Sequence, residues 1–207
     1  PSRYAALKEA VDNNLSGRVD NITNELKFAF DREKDASRLV DLVAEGKIPM
    51  RVTHNDTKIN NVLFDSITNE AICVIDLDTI MPGLSLYDFG DSIRSGAVTS
   101  DENEKDLSKY GLDLELFKSY TEGFLSEAGM ALNEEEVHNL AFSAKLMTLE
   151  CGVRFLTDYL NGDTYFKTEY PEHNLVRCRT QFKLVEDIEK HMDEMNECVD
   201  EIYGRSL

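Results

Sequence analysis

Between Met50 and Gly83 the apolar pattern changes period, and that change limits the folds open to this chain. Val62-Leu63-Phe64 and Ala71-Ile72-Cys73-Val74-Ile75 are short β-rich runs separated by six polar, turn-like residues, Asp65 to Glu70, which reads as a hairpin. On both sides the spacing is helical. Residues 1–50 are polar, with a Leu39, Leu42, Val43 stripe that Gly46 and Pro49 bring to an end. After Pro82-Gly83 the stripes Leu114, Phe117, Tyr120, Phe124 and Val137, Leu140, Ala141, Ala144, Met147 follow, and a last acidic helix is predicted from about Leu175 to Ile202 through Phe182, Val185, Ile188 and Met192. The expected fold is α+β and mostly helical, with one small β-hairpin and no large parallel sheet.

A chain of 207 residues buries roughly 70% of its unfolded surface, so a real core is available. With 22 Lys plus Arg against 40 Asp plus Glu the net charge is −18, which repels nucleic acid phosphates and anionic lipid. No run approaches the ~20 apolar residues of a membrane span. The partner expected is therefore a small molecule or another protein. Cys73, Cys151, Cys178 and Cys198 lie far apart with no metal-ligand spacing and are expected to be buried free thiols. The acidic clusters Asp101 to Glu104 and Glu134 to Glu136 read as solvated loop or helix-start charges. The sequence starts at Pro1 with no basic or apolar leader, which predicts a cytoplasmic location; a first residue other than Met is also what a piece of a longer chain would show.

Four polar residues converge on the hairpin. Its open end brings together Asn61, at the start of the first strand, and Asp76, at the end of the second, although fifteen positions separate them. Two oxygen-bearing side chains at one strand end suit a hard cation such as Mg²⁺, which takes one or two protein oxygens plus waters and phosphates. Asp56, on the preceding loop, is placed to accept the proton of an attacking hydroxyl, and Lys58 offers a fixed positive charge to a transferred phosphate. A plain loop turn and strand start would account for Asp56 and Asn61 but for neither Lys58 nor Asp76. Asp78 fits a second metal contact, a backbone cap or a solvated charge.

The string His54-x-Asp56-x-Lys58-x-x-Asn61 resembles the catalytic loop of protein-kinase-like phosphotransferases, in the form shared by aminoglycoside and choline kinases. Ile75-Asp76-Leu77-Asp78 resembles their metal-binding strand end. The resemblance implies an ATP-dependent, Mg²⁺-dependent kinase in which His54 braces the loop. Asp88-Phe89-Gly90 spells a protein-kinase metal motif, yet it lies 27 residues after Asn61 and follows a Pro-Gly loop. Asp76 is therefore the expected metal ligand, and Asp88 matches an Asp that braces the loop.

Glu150 to Leu160, with Gly162-Asp163-x-Tyr165-Phe166, is similar to the N-acetylhexosamine 1-kinase branch, over residues 50–190 in all. This implies phosphorylation of an N-acetylated sugar at its anomeric hydroxyl, with Arg154 and Tyr165 as sugar contacts, although Arg154 fits a helix partner of an acid equally well. An aminoglycoside or a choline/ethanolamine acceptor is the alternative. A complete enzyme of that fold also needs a β-rich N-lobe, and residues 1–50 contain neither strands nor a Gly cluster. The whole chain, 1–207, is thus expected to be the C-terminal lobe alone, with the catalytic loop at 54–61 and the metal strand end at 76–78. The rival reading is a noncatalytic binding module.

Overall fold

The computed structural model describes residues 1–206. Three helices come first: α1 (Ser2–Asn13), α2 (Thr23–Phe30) and α3 (Arg38–Ala44). Leu39 is buried and Leu42 and Val43 pack against the core, and Gly46 then leaves the helix in the left-handed region at φ 71°.

The β content is two separate antiparallel ribbons. β2 (Val62–Phe64) pairs with β3 (Ala71–Val74) as the expected hairpin, with Val62 opposite Val74 and Leu63 opposite Cys73. β1 (Arg51–Thr53) pairs with β4 (Met81–Gly83), a ribbon the sequence did not reveal. β4 is only three residues long and carries Pro82, which cannot donate to a ladder and is tolerated because a two-stranded ribbon has open edges. Gly83 is required there, since a Cβ would run into Thr53 Oγ1.

Six further helices follow: α4 (Ser85–Gly96), α5 (Leu114–Ala128), α6 (Glu134–His138), α7 (Leu140–Leu160), α8 (His173–Lys190) and α9 (Met192–Ser206). α7 is buried on most of its circumference and divides two core clusters. Phe89, Phe117, Leu140 and Ile188 lie in one; Leu7, Leu149, Leu156 and Val185 lie in the other. Each such side chain contributes roughly 1.5–3 kcal/mol through removal of apolar surface from water. Among the described residues no helix is long and apolar enough to cross a membrane.

Three expectations need correction. The predicted helix from Leu175 to Ile202 is two, α8 and α9, because His191 departs from helical angles (φ −103°, ψ 12°) while its Nδ1 lies 2.9 Å from the Asp187 carbonyl. The apolar stripe runs on through Met192 and hides the break. The four cysteines are free as expected, yet only Cys178 is fully buried and Cys73 is exposed, since nothing packs over β3. Glu136 is no solvated charge. It is 1% exposed, paired through both oxygens with Arg51 at 2.7 and 2.6 Å, and closes a capping box with Asn133.

α4 approaches α7 so closely at Gly90 that a Cβ there would strike the Ser143 carbonyl. Ala gains about 0.5–1 kcal/mol over Gly inside a helix, but overpacking against backbone costs roughly 1–3 kcal/mol. Gly90→Ala is therefore expected to lower the unfolding free energy by about 1–2 kcal/mol in urea titration. Gly96→Ala, on the same helix with nothing within 4 Å, should leave it unchanged or raise it.

Candidate active site

The polar loop after β1 is tied down by its backbone. The Asp88 carboxylate, half-buried in the first turn of α4, accepts the His54 N–H at 2.7 Å on Oδ2 and the Asn55 N–H at 2.8 Å on Oδ1. Those bonds hold Asn55 in a left-handed conformation, φ 64°. Burial pushes the Asp88 carboxyl up, and the two amide donors oppose that shift. Thr57 Oγ1 donates to the Asp88 carbonyl at 2.6 Å, and Thr79 Oγ1 donates to the His54 carbonyl at 2.6 Å. His54 Nε2 lies 3.0 Å from the Ile75 carbonyl, which links the loop to the end of β3. The Asp-Phe-Gly spelling thus separates into three packing positions: Asp88 on the loop, Phe89 in the core against Phe117 and Phe124, and Gly90 against α7.

Asn61 sits in a single turn, Ile59–Asn61, just before β2 rather than on the strand itself. The Ile75 N–H donates to its carbonyl at 2.9 Å, so the hairpin's open end does set Asn61 beside the Ile75-Asp76 step. The Asn61 amide Nδ2 donates to the Asp56 carbonyl at 2.8 Å and to Asp56 Oδ2 at 2.9 Å, which leaves the amide oxygen as its free donor of electron density. Lys58 Nζ lies 3.0 Å from the same Asp56 Oδ2. Burial raises the Asp56 carboxyl, but Lys58 and Asn61 more than offset this and hold it below its ordinary value. Oδ1 of Asp56 keeps no protein donor among the described residues.

Asp76 occupies the left-handed region at φ 63° and is exposed. A hydrogen bond and charge repulsion from Asp78 raise its carboxyl, with a smaller push from Asp56. Lys58, paired with Asp56, lowers the Asp76 carboxyl only slightly against these effects. Among the described residues no cluster of three or more His, Cys, Asp or Glu forms a metal cage. The donors on offer are one amide oxygen and an adjacent carboxylate pair whose mutual repulsion a cation would relieve, which fits the oxygen-only, partly hydrated coordination of Mg²⁺.

Asp56 and Lys58 line a cleft of about 890 Å³, whose lining also includes Arg154, Phe166, Lys167 and Arg177. The Arg154 guanidinium is 3.8 Å from Glu150 one turn earlier, as a helix partner of an acid would be, and the side chain lines the cleft. Tyr165 does not line it. It is 73% exposed over a neighbouring groove of about 210 Å³, with its hydroxyl 3.4 Å from Arg154 Nη2. Sequence reasoning missed Asp91, Arg94 and Glu102, which form a partly buried charge network in the cleft's lining. Arg94 lies 2.7 Å from Asp91 and 3.6 Å from Glu102, so despite desolvation its guanidinium is held more firmly charged than usual. The i, i+3 spacing of Asp91 and Arg94 on a helix was the available signal. Burial pushes the neighbouring Cys151 thiol up to about 12, which removes it as a nucleophile at neutral pH.

A family model described as the phosphotransferase enzyme family matches residues 4–114, just over half of the chain. The chain belongs to that family. The phosphotransferase match takes in α1 to α4, the loop 54–61, Asp76 and Asp88, and it ends before Arg154 and Tyr165.

Asp88→Asn should lower stability by roughly 1–3 kcal/mol, because one of the two loop N–H groups then faces an NH₂. Urea unfolding measures the loss.

Proposed function

We propose that this phosphotransferase moves the γ-phosphoryl group of ATP to a hydroxyl of a small molecule, the anomeric hydroxyl of an N-acetylhexosamine, and that residues 1–207 correspond to the C-terminal lobe of a protein-kinase-like fold. The observation that carries the reading is Asp56, which lines the cleft: one carboxylate oxygen is fixed by Asn61 and Lys58, and the other has no donor among the described residues. A carboxylate so held orients an incoming hydroxyl and takes its proton as the oxygen attacks phosphorus. Lys58, anchored on the opposite oxygen, places its charge where the transferred phosphoryl group gains negative charge. Asn61 and Asp76, with Asp78 adjacent, would hold Mg²⁺, which neutralises phosphate charge when bound. Phosphoryl transfer asks little covalent work of the protein, so positioning and charge carry the rate.

The cleft supports a neutral sugar over the alternatives. Its cations Lys58, Arg94, Arg154, Lys167 and Arg177 balance its acids Asp56, Asp91, Asp101, Glu102 and Glu150, whereas an aminoglycoside polycation calls for an acidic surplus. Choline needs open aromatic faces. Here Arg154 already lies 5.3 Å from the Phe166 ring centroid and Arg177 lies 5.5 Å from that of Phe155. The C-lobe assignment rests on residues 1–50 folding as helices and on the exposure of Leu63, Phe64, Ile72 and Val74, the hairpin side chains that a nucleotide and a second lobe would cover.

The test is an assay of the catalytically competent protein with ATP and, side by side, N-acetylglucosamine, N-acetylgalactosamine, choline and an aminoglycoside, with phosphorus NMR locating the product phosphate. Asp56→Asn should reduce kcat by about 10²–10⁴ with little change in sugar affinity, and Arg154→Ala should raise the sugar KM. Preference for choline or the aminoglycoside rejects the sugar and keeps the kinase. Full activity in Asp56→Asn rejects the mechanism, and nucleotide binding without turnover on any acceptor favours the binding module.

The pH profile gives an independent check. With its carboxyl lowered, Asp56 stays ionised through the ordinary carboxylate range, so its own contribution to the acid limb of kcat/KM should lie below that range. Lys58→Ala removes one of the groups that lower it and leaves Asn61 to oppose burial with less support. The acid limb should then move to higher pH.

A further inference from the structure

Asp158 is an unusual residue for its place. It lies in the last turn of α7, where the helix dipole disfavours a carboxylate, and it is 4% exposed, where an unpaired charge is costly. Four donors meet it. Oδ1 accepts the backbone N–H groups of Thr164 at 2.9 Å and Tyr165 at 2.8 Å; Oδ2 accepts the Phe166 N–H at 3.0 Å and Asn174 Nδ2 at 2.8 Å. Three successive amides of one loop thus converge on one side chain.

That loop carries the wall of the cleft. It leaves α7 through Gly162 and Asp163, both left-handed at φ 89° and 61°, and Arg18 fastens its Asp163 at 2.6 Å. Its fixed end presents Phe166 against Phe155 at 4.6 Å and Tyr165 edge-on to Phe166 at 4.8 Å. The Arg154 guanidinium then rests 5.3 Å from the Phe166 ring and 5.7 Å from the Tyr165 ring. Glu150, Arg154 and Asp158 follow at i, i+4 and i+8 and so share one face of α7. Arg154 is bounded by Glu150 on one side and, on the other, by two rings whose backbone Asp158 holds.

We propose that Asp158 is a positioning residue for sugar binding: by gathering the amides of Thr164, Tyr165 and Phe166 it sets the two rings that hold Arg154 in the lining of the cleft. This rests on the sugar-kinase reading above. Asp158 touches neither the sugar nor the phosphates, so its influence falls on sugar affinity and leaves the phosphoryl-transfer step alone.

Saturation kinetics on the catalytically competent protein test this. Asp158→Asn puts an NH₂ against a backbone N–H and loosens the loop. The expected result is a sugar KM raised about 10-fold, with kcat within about threefold and the KM for ATP unmoved. In an Arg154→Ala background the same change should add less than about twofold, because its effect passes through Arg154. An unchanged sugar KM in folded Asp158→Asn overturns the assignment, as does an effect that multiplies fully with Arg154→Ala. Should Asp158→Asn fail to fold, Gly162→Ala disturbs the same loop at an exposed position with nothing within 4 Å. It should raise the sugar KM about threefold with kcat unchanged, and no rise overturns the assignment. A wild-type protein that phosphorylates no sugar would instead overturn the underlying reading, and this inference with it.

Discussion

The grip of the Asp88 carboxylate on the His54 and Asn55 amides is the interaction on which the site depends. A loop between two-stranded ribbons has no sheet to define it, and a ribbon of two strands is marginal in water. Asp88 supplies what the ribbons lack, because it belongs to α4, and α4 is anchored in the core through Phe89 and through the close approach of Gly90 to α7. Rigidity therefore passes from the core, through one side chain, to the backbone that carries Asp56. With each charge-assisted bond of this kind contributing about 1.5–3 kcal/mol, two of them suffice to hold Asn55 left-handed, which costs a non-glycine residue about 1–2 kcal/mol.

The charge pattern divides into two parts. Along the cleft, Arg94, Asp91 and Glu102 form an ion-pair network that is satisfied without any ligand. Beside the loop, Lys58 pairs with Asp56 while the repulsion between Asp76 and Asp78 that raises Asp76 is left standing. Groups held in place by such pairing can meet an incoming charge without rearranging. The exposure of Asp76 keeps that repulsion small in water, so it is tolerable in the free chain.

Much of the site was legible in the sequence because it is local. Asp56, Lys58 and Asn61 fall within six residues, and a hairpin with a short turn has only one way to return Asp76 to Asn61. The β1–β4 ribbon was not legible, since three residues with a central proline carry no period. Nor was the break at His191, where the apolar stripe continues unchanged across a change of axis. Tyr165 was expected, with Arg154, to contact the sugar; its hydroxyl lies near Arg154, but the loop turns its ring toward the neighbouring groove, and no spacing rule reports on which side of a wall a ring falls.

Sequence by itself determined the mostly helical α+β character, the hairpin and the identity of the polar residues at its open end, because these follow from period and from contacts within a few residues. The family resemblance already implied that Asp88 braces the loop 33 and 34 positions before it; tertiary structure alone decided that Glu136 is buried against Arg51 and that Asp158 gathers the amides behind the cleft wall. In each of these a carboxylate that reads as surface charge is taken out of water and offset by donors. Which donors they are depends on how helices pack, and that is a property of the whole core rather than of any stretch of chain.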